Sequence, residues 1–304
     1  YDLPIQRGGW TPANFSRGFA GELSAAEALR KSLNVPAILV AEGTGLDRCI
    51  RAIESAGVRF QTDAARRGGL GVVVGAVEVR LLDLTNAYAT LGRGGIFREL
   101  SLFTDQRGEE RRVLSADACA AVSDILSCRN RRPHGMESRP ADQIPWFCWK
   151  TGTSSGRRDA WAVGHNGRFA AGVWVGDFSG KGRVQYLGFD AAEPLLADLL
   201  SMPTLAASAD PAKPASIAVS RPLPRPVEAT PGLRITSPAR GAEFLSIRGA
   251  AIITPQCTAT GFVHWFLDGV LVESVAGLRL FPGPHELRCV GAGGAVDGVR
   301  FTVR

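Results

Sequence analysis

The 304 residues are 45% hydrophobic and 21% charged, an ordinary balance for a folded chain and enough length for two domains. The net charge of +6 rests on 31 arginines and four lysines, but the arginine pairs (Arg66-Arg67, Arg111-Arg112, Arg157-Arg158) carry no interleaved aromatics, which argues against nucleic acid as a partner. No apolar run approaches a bilayer span, and the six cysteines form no C-x-x-C pair, so neither a membrane helix nor a metal or other cofactor is expected.

In chain order, Ser24-Ala25-Ala26-Glu27 reads as a capping box opening a helix from Ala25 to Leu33. Val35-Pro36 breaks and restarts the chain, since proline is tolerated in a first helical turn. Further helices fit Leu46 to Ala56, ending at Gly57, and Val79 to Leu91, ending at Gly92-Arg93-Gly94-Gly95. Ser115 caps another through Leu126. From Trp146 the pattern turns to strands: Trp146–Thr153, Asp159–His165 and Arg168–Gly176, with Asn166-Gly167 as a tight-hairpin signal. A helix over Ala191–Leu200 closes this part. Helices with an antiparallel sheet make it α+β.

Seven prolines between 203 and 232 predict an extended linker and a domain boundary. Beyond it the chain reads as a small all-β sandwich. Its strands fall at 233–237, 243–247, 250–259, 263–267, 270–274, 278–281, 285–290 and 299–303, and Asp268-Gly269 marks a hairpin. Cys257 and Cys289 in this part are open to two readings, a bridge or two buried thiols.

The chemistry concentrates in Lys150-Thr151-Gly152-Thr153-Ser154 on the first strand. Period-two alternation puts Thr151 and Thr153 on one face and Lys150 with Gly152 on the other. Two hydroxyls can grip a carboxylate while Lys150 supplies positive charge, and Gly152 allows close backbone approach. Ser32-Leu33-Asn34 lies at the break between the first two helices. Ser32 can relay a proton and Asn34 can hold an amide; the bland alternative for both is helix capping. Ser154 could contact substrate, though a solvated turn also accounts for it. Cys148 shares the Lys150 side of the strand, but no histidine is near it in sequence, so packing is its expected role.

These stretches, with Trp10-Thr11-Pro12-Ala13-Asn14-Phe15, Leu81 to Leu91, and Asp159-Ala160-Trp161 through Gly176, resemble the transpeptidase domain of penicillin-binding proteins. The bimodular class A type, and within it the 1C type, fits best. Trp265-Phe266-Leu267-Asp268-Gly269 and Pro282-Gly283-Pro284-His285 resemble the small C-terminal β domain of that type. The resemblance implies a serine acyl-transferase (β-lactamase-like) fold over residues 1–202, a linker at 203–232, and an immunoglobulin-like β-sandwich at 233–304. It implies D,D-transpeptidation of peptidoglycan stem peptides ending in D-Ala-D-Ala, blocked by β-lactams, at the periplasmic face of the inner membrane. Ser32, Asn34 and Lys150 would be catalytic, and Thr151, Gly152, Thr153 and Ser154 would bind substrate.

One departure is decisive. The family nucleophile is the serine of Ser-x-x-Lys, and the residues three before Lys31, Lys150, Lys181 and Lys213 are Ala28, Phe147, Phe178 and Asp210. No nucleophile of that pattern is in this chain. The expectation is a C-terminal fragment, incomplete at its N-terminus and inactive alone, whose glycosyltransferase, membrane anchor and nucleophile lie upstream. Its partners would be the missing segment or other cell-wall proteins. The competing readings are a non-catalytic scaffold module and a secreted β-lactamase; the appended β domain argues against the latter.

Overall fold

A computed structural model describes residues 1–5, 10–16, 18–61, 63–103, 108–207, 233–247, 249–259, 261–272, 274–291 and 295–304. Its contacts form two compact units, one of Leu29–Ser32 with Ala37–Ile217, the other of Tyr1–Ala28, Leu33–Pro36 and Ala218–Arg304. By contact, residues 1–28, which the sequence groups with the helical part, fall in the same unit as the β module. Most of the expected linker lies outside the described residues, and its first four residues form a short helix.

The helices are α1 Ala25–Arg30, α2 Asn34–Thr44, α3 Leu46–Ser55, α4 Ala64–Gly68, α5 Leu81–Gly92, α6 Ala116–Ile125, α7 Glu193–Ser201 and α8 Pro203–Ala206. None is long and apolar enough to cross a membrane. The predicted caps are present. Glu27 N–H donates to Ser24 Oγ at 3.2 Å, while Ser24 N–H returns a bond to Glu27 Oε2 at 3.1 Å. Ser115 accepts from Ala118 N–H at 3.2 Å. Asp83, 1% exposed, holds the start of α5 by taking both Arg59 and Arg80 at 3.0 and 2.8 Å.

In the first unit, β1 (Ile96–Arg98) and β2 (Glu110–Arg112) form a small ribbon that alternation did not reveal. The main sheet is antiparallel, in the order β3 (Cys148–Thr153), β4 (Asp159–His165), β5 (Ala170–Gly176). One face is buried by Phe147, Trp149, Ala160 and Ala162 against Leu196, Ala197 and Leu200 of α7; α5 packs on β4 and β5. The β4–β5 connection is a two-residue turn set one residue later than expected, with Asn166 N–H donating to Phe169 O at 3.0 Å around Gly167-Arg168. Gly167 has φ 84, but Asn166 does not take the positive φ that a turn centred on Asn166-Gly167 needs. Instead Asn166, fully buried, organises the loop: its Oδ1 accepts from Arg168 and Phe169 N–H at 3.1 and 2.8 Å.

In the second unit the strands are β6 Ile235–Ser237, β7 Glu243–Phe244, β8 Ala251–Ile253, β9 Gln256–Cys257, β10 Val263–Leu267, β11 Val270–Val272, β12 Leu278–Leu280, β13 Gly283–Gly291 and β14 Val296–Val303. A five-stranded sheet, β11-β10-β13-β14-β7, is joined by the pairs β12-β8 and β6-β9 around one core that includes Trp265, Leu287, Cys289 and Phe301. Asp268 (φ 50) and Gly269 (φ 80) make the predicted tight hairpin. Cys257 and Cys289 are unbridged thiols.

Candidate active site

The site begins with how α1 ends. Ser32 N–H donates to Leu29 O at 3.2 Å and Leu33 N–H to Ala28 O at 3.0 Å, with Ser32 at φ 55. This is the two-bond helix ending usually completed by glycine. A serine there costs about 1 kcal/mol. The partner of its side chain is Lys150. It sits on β3, and its Nζ donates to Ser32 Oγ at 2.5 Å and to Thr151 O at 2.8 Å. Ser32 and Lys150, 118 residues apart in sequence, thus meet in the fold.

Burial drives the Lys150 ammonium down from its ordinary 10.5 to about 8; the Arg131 charge adds to this and Glu193 opposes it. Neither Arg131 nor Glu193 was singled out in the sequence, where they lie in a loop and at a helix start with no motif around them. Arg131 stacks on Trp149, 3.8 Å from the ring centroid, and hydrogen-bonds the Trp149 carbonyl. Glu193, 7% exposed, accepts from His134 N–H at 2.8 Å.

The β3 edge is half covered. Cys128 N–H donates to Phe147 O at 2.9 Å and Trp149 N–H to Leu126 O at 3.3 Å, so the segment around Leu126–Cys128 closes the edge as far as Trp149. Ser154 N–H points the other way, to Asp159 O on β4 at 3.0 Å. Strand alternation therefore directs the N–H groups of Thr151 and Thr153 outward. Among the described residues no strand pairs with that stretch.

Thr153 Oγ1 accepts from Gly188 N–H at 2.9 Å, which leaves its own hydrogen available to donate. Gly188 must be glycine, because a Cβ there would lie 2.3 Å from the Gly152 carbonyl oxygen. Gly152 differs: a Cβ on it would make an ordinary 3.7 Å contact with Trp161. Internal packing does not demand glycine at this exposed position. Ser154 Oγ accepts from Asp159 N–H at 2.8 Å and closes the β3–β4 turn. Asn34 lies in the other unit, where its Nδ2 donates to Ala13 O at 2.9 Å.

Cys148 is buried, as expected, but has a histidine beside it in space, because the β3–β4 register sets it opposite His165, with Sγ 3.1 Å from Nε2. Ser123 Oγ lies 3.2 Å from the same nitrogen. A hairpin joins residues that sequence distance separates. The pair is still no nucleophile. Burial pushes the thiol up to about 12 and the imidazole down to about 4, so both are neutral and both are shielded from solvent.

The β module carries a surface hollow of about 460 Å³ between Asp268, His285 and Arg300. His285 there is already fixed, by Asp268 Oδ2 and Phe281 O at 2.8 Å each.

Residues 224–301 match the family described as Penicillin-Binding Protein C-terminus Family. Over 195 residues the chain is 34% identical to penicillin-binding protein 1C of Escherichia coli K12, covering 64% of this chain and 25% of that protein. It is 27% identical over 199 residues to penicillin-binding protein 1A of Rickettsia felis, covering 55% of this chain and 25% of the relative. The chain thus spans about a quarter of the length of the curated relatives it matches. The fold is that of the penicillin-binding proteins. The crystal structure of penicillin-binding protein 1A from Haemophilus influenzae superposes with TM-score 0.54 at 20% identity, covering 86% of this chain and 44% of that one. The structure of PonA1 from Mycobacterium tuberculosis gives 0.51 at 21% identity, covering 66% and 61%.

Proposed function

We propose, from the premise that this chain is a relative of the penicillin-binding proteins, that it carries the lysine side of a peptidoglycan D,D-transpeptidase site. Its substrate is a stem peptide ending in D-Ala-D-Ala, and β-lactams compete for the same place. The observation that carries this reading is the 2.5 Å contact between Lys150 Nζ and Ser32 Oγ, made by a lysine whose proton leaves near pH 8.

Transpeptidation needs an attacking serine, an oxyanion donor, a carboxylate anchor and a proton source for the departing amine. The 304 residues hold no Ser-x-x-Lys, so in this reading the attacking oxygen is supplied from outside them. When that oxygen adds to the penultimate D-Ala carbonyl, the oxyanion meets the outward Thr153 N–H. As the C–N bond breaks, Ser32 Oγ gives its hydrogen to the leaving D-Ala nitrogen and takes one from Lys150 Nζ. Lys150 recovers the proton that the attacking hydroxyl gave up on forming the C–O bond, so the acylation step is proton-neutral. The Thr151 and Thr153 hydroxyls donate to the terminal carboxylate, and Lys150 offsets its charge. Asn34 orients the donor peptide. The site works on the periplasmic face of the inner membrane.

A fluorescent penicillin tests this. The 304-residue chain alone takes no covalent label. Joined to a Ser-x-x-Lys segment it labels, and Lys150→Ala or Ser32→Ala then slows acylation by about 10²-fold or more. Stable labelling of the chain alone, or full-speed labelling of Lys150→Ala, overturns the reading.

A further inference from the structure

Asn34 sits where it does because of a buried relay that begins on the β module. The outer face of the five-stranded sheet carries Phe266 and Val290, which are 1% and 2% exposed yet lie outside the β-module core. The chain neighbour of Phe266, Trp265, and that of Val290, Cys289, face that core instead. What lies against Phe266 is the N-terminal segment. Gly21, at φ 71, lies over the Phe266 ring, where a Cβ would make an ordinary 3.6 Å contact. A hollow of about 240 Å³ beside this contact is lined by Ala20, Glu22, Phe266, Val290 and Val296.

Gly21 is bridged in both directions to Asp2: Asp2 N–H to Gly21 O at 2.7 Å, and Gly21 N–H to Asp2 O at 3.0 Å. Asp2, fully buried, accepts from Ala20 N–H at 2.8 Å and takes both carboxylate oxygens to Asn14 Nδ2 at 2.8 and 2.9 Å. That fixes which way the Asn14 amide points. Its Oδ1 accepts from the first N–H groups of α2, Asn34 at 2.8 Å and Val35 at 3.3 Å. These are the orphan donors of a helix start, here capped by a residue 20 positions away. Ala13 O takes the Asn34 side chain. Every polar group in the relay is partnered, so its orientation has no slack.

We propose that the C-terminal β module is a positioning element for the Ser32-x-Asn34 turn, acting through Phe266, Gly21, Asp2 and Asn14 in that order. Asp2 and Asn14 are positioning residues; they touch no reacting atom. What the turn does rests on the transpeptidase reading above, but whether it is held this way does not. A string of contacts is not yet a coupling, so the test must perturb one end and read the other.

Amide hydrogen exchange on the whole chain provides that readout. Gly21→Val strains the left-handed backbone over Phe266 without touching the β-module core, and Phe266→Ala removes the contact from the other side. Both are expected to speed exchange at Asn34 and Val35 by about tenfold or more and to leave Ala160–Val163 of β4 unchanged. Asn14→Asp sets two carboxylates against each other and should do the same, while adding Asp2→Asn to it restores the donor–acceptor pair and the protection. Unchanged exchange at Asn34 and Val35 in both Gly21→Val and Phe266→Ala overturns the proposal. These measurements use no β-lactam, so a failed acylation test leaves them standing, and their failure leaves the acylation test standing.

Discussion

Ser32 and Lys150 each give up stability. Ser32 occupies a left-handed position that glycine fills at less cost. Ser32→Gly is therefore expected to raise folding stability by about 0.5–1 kcal/mol in urea denaturation, while abolishing the proton relay. A variant that is more stable and slower to acylate in the same preparation is the signature. For Lys150 the sign follows from linkage. Folded Lys150 titrates near 8 and its ordinary value is 10.5. Between these values the unfolded chain holds the extra proton, so stability rises with pH across that window and Lys150 adds no slope below it. Lys150→Met should remove this slope and be the more stable protein at pH 7, by on the order of 2 kcal/mol. Denaturation midpoints at pH 7, 9 and 11 check it; a constant gap between the two proteins would count against the depressed lysine. Both residues were legible in the sequence because their motif is local and chemically distinctive. Arg131 and Glu193 were not, because their effect on the lysine depends on burial, which no spacing encodes.

At the scale of elements, caps and strands read well and loops read poorly. The Ser24–Glu27 box and the Ser115 cap are short-range hydrogen-bond patterns, and they form where the residues say. The Asp268-Gly269 hairpin likewise depends only on two backbone conformations. Asn166-Gly167 carried the same signal and gave a different turn, because the Asn166 side chain also reaches Leu205 O at 2.9 Å. A tertiary partner outweighed the local preference. Asn166→Ala would leave that carbonyl and two loop amides without their partner, a loss of about 2–3 kcal/mol measurable by urea denaturation. A loss under 1 kcal/mol would mean the hairpin holds itself. The Asp2–Asn14 relay was invisible in the sequence: one of its links spans 12 residues and another 20, and neither has a period.

At the scale of the molecule, the two folds were legible and their membership was not. Residues 1–28 carry the pattern of the helical part and group by contact with the β module. Strand β5 has seven residues, no charge and no proline, and among the described residues its outer edge is unpaired. Phe178, Leu102 and Val184 are each more than 70% exposed. The isolated chain is expected to self-associate or to melt without a single cooperative transition. Analytical ultracentrifugation and calorimetry decide this; a monomer with one sharp transition contradicts it. The half-covered β3 edge sets a further limit. With only two outward amides, an added peptide strand gains two main-chain bonds, about 2 kcal/mol in total. Even doubled by its carboxylate, that is a millimolar grip. A site so lightly held fills only where its ligand is crowded, as on a polymer mesh, and it becomes long-lived only when a covalent bond forms.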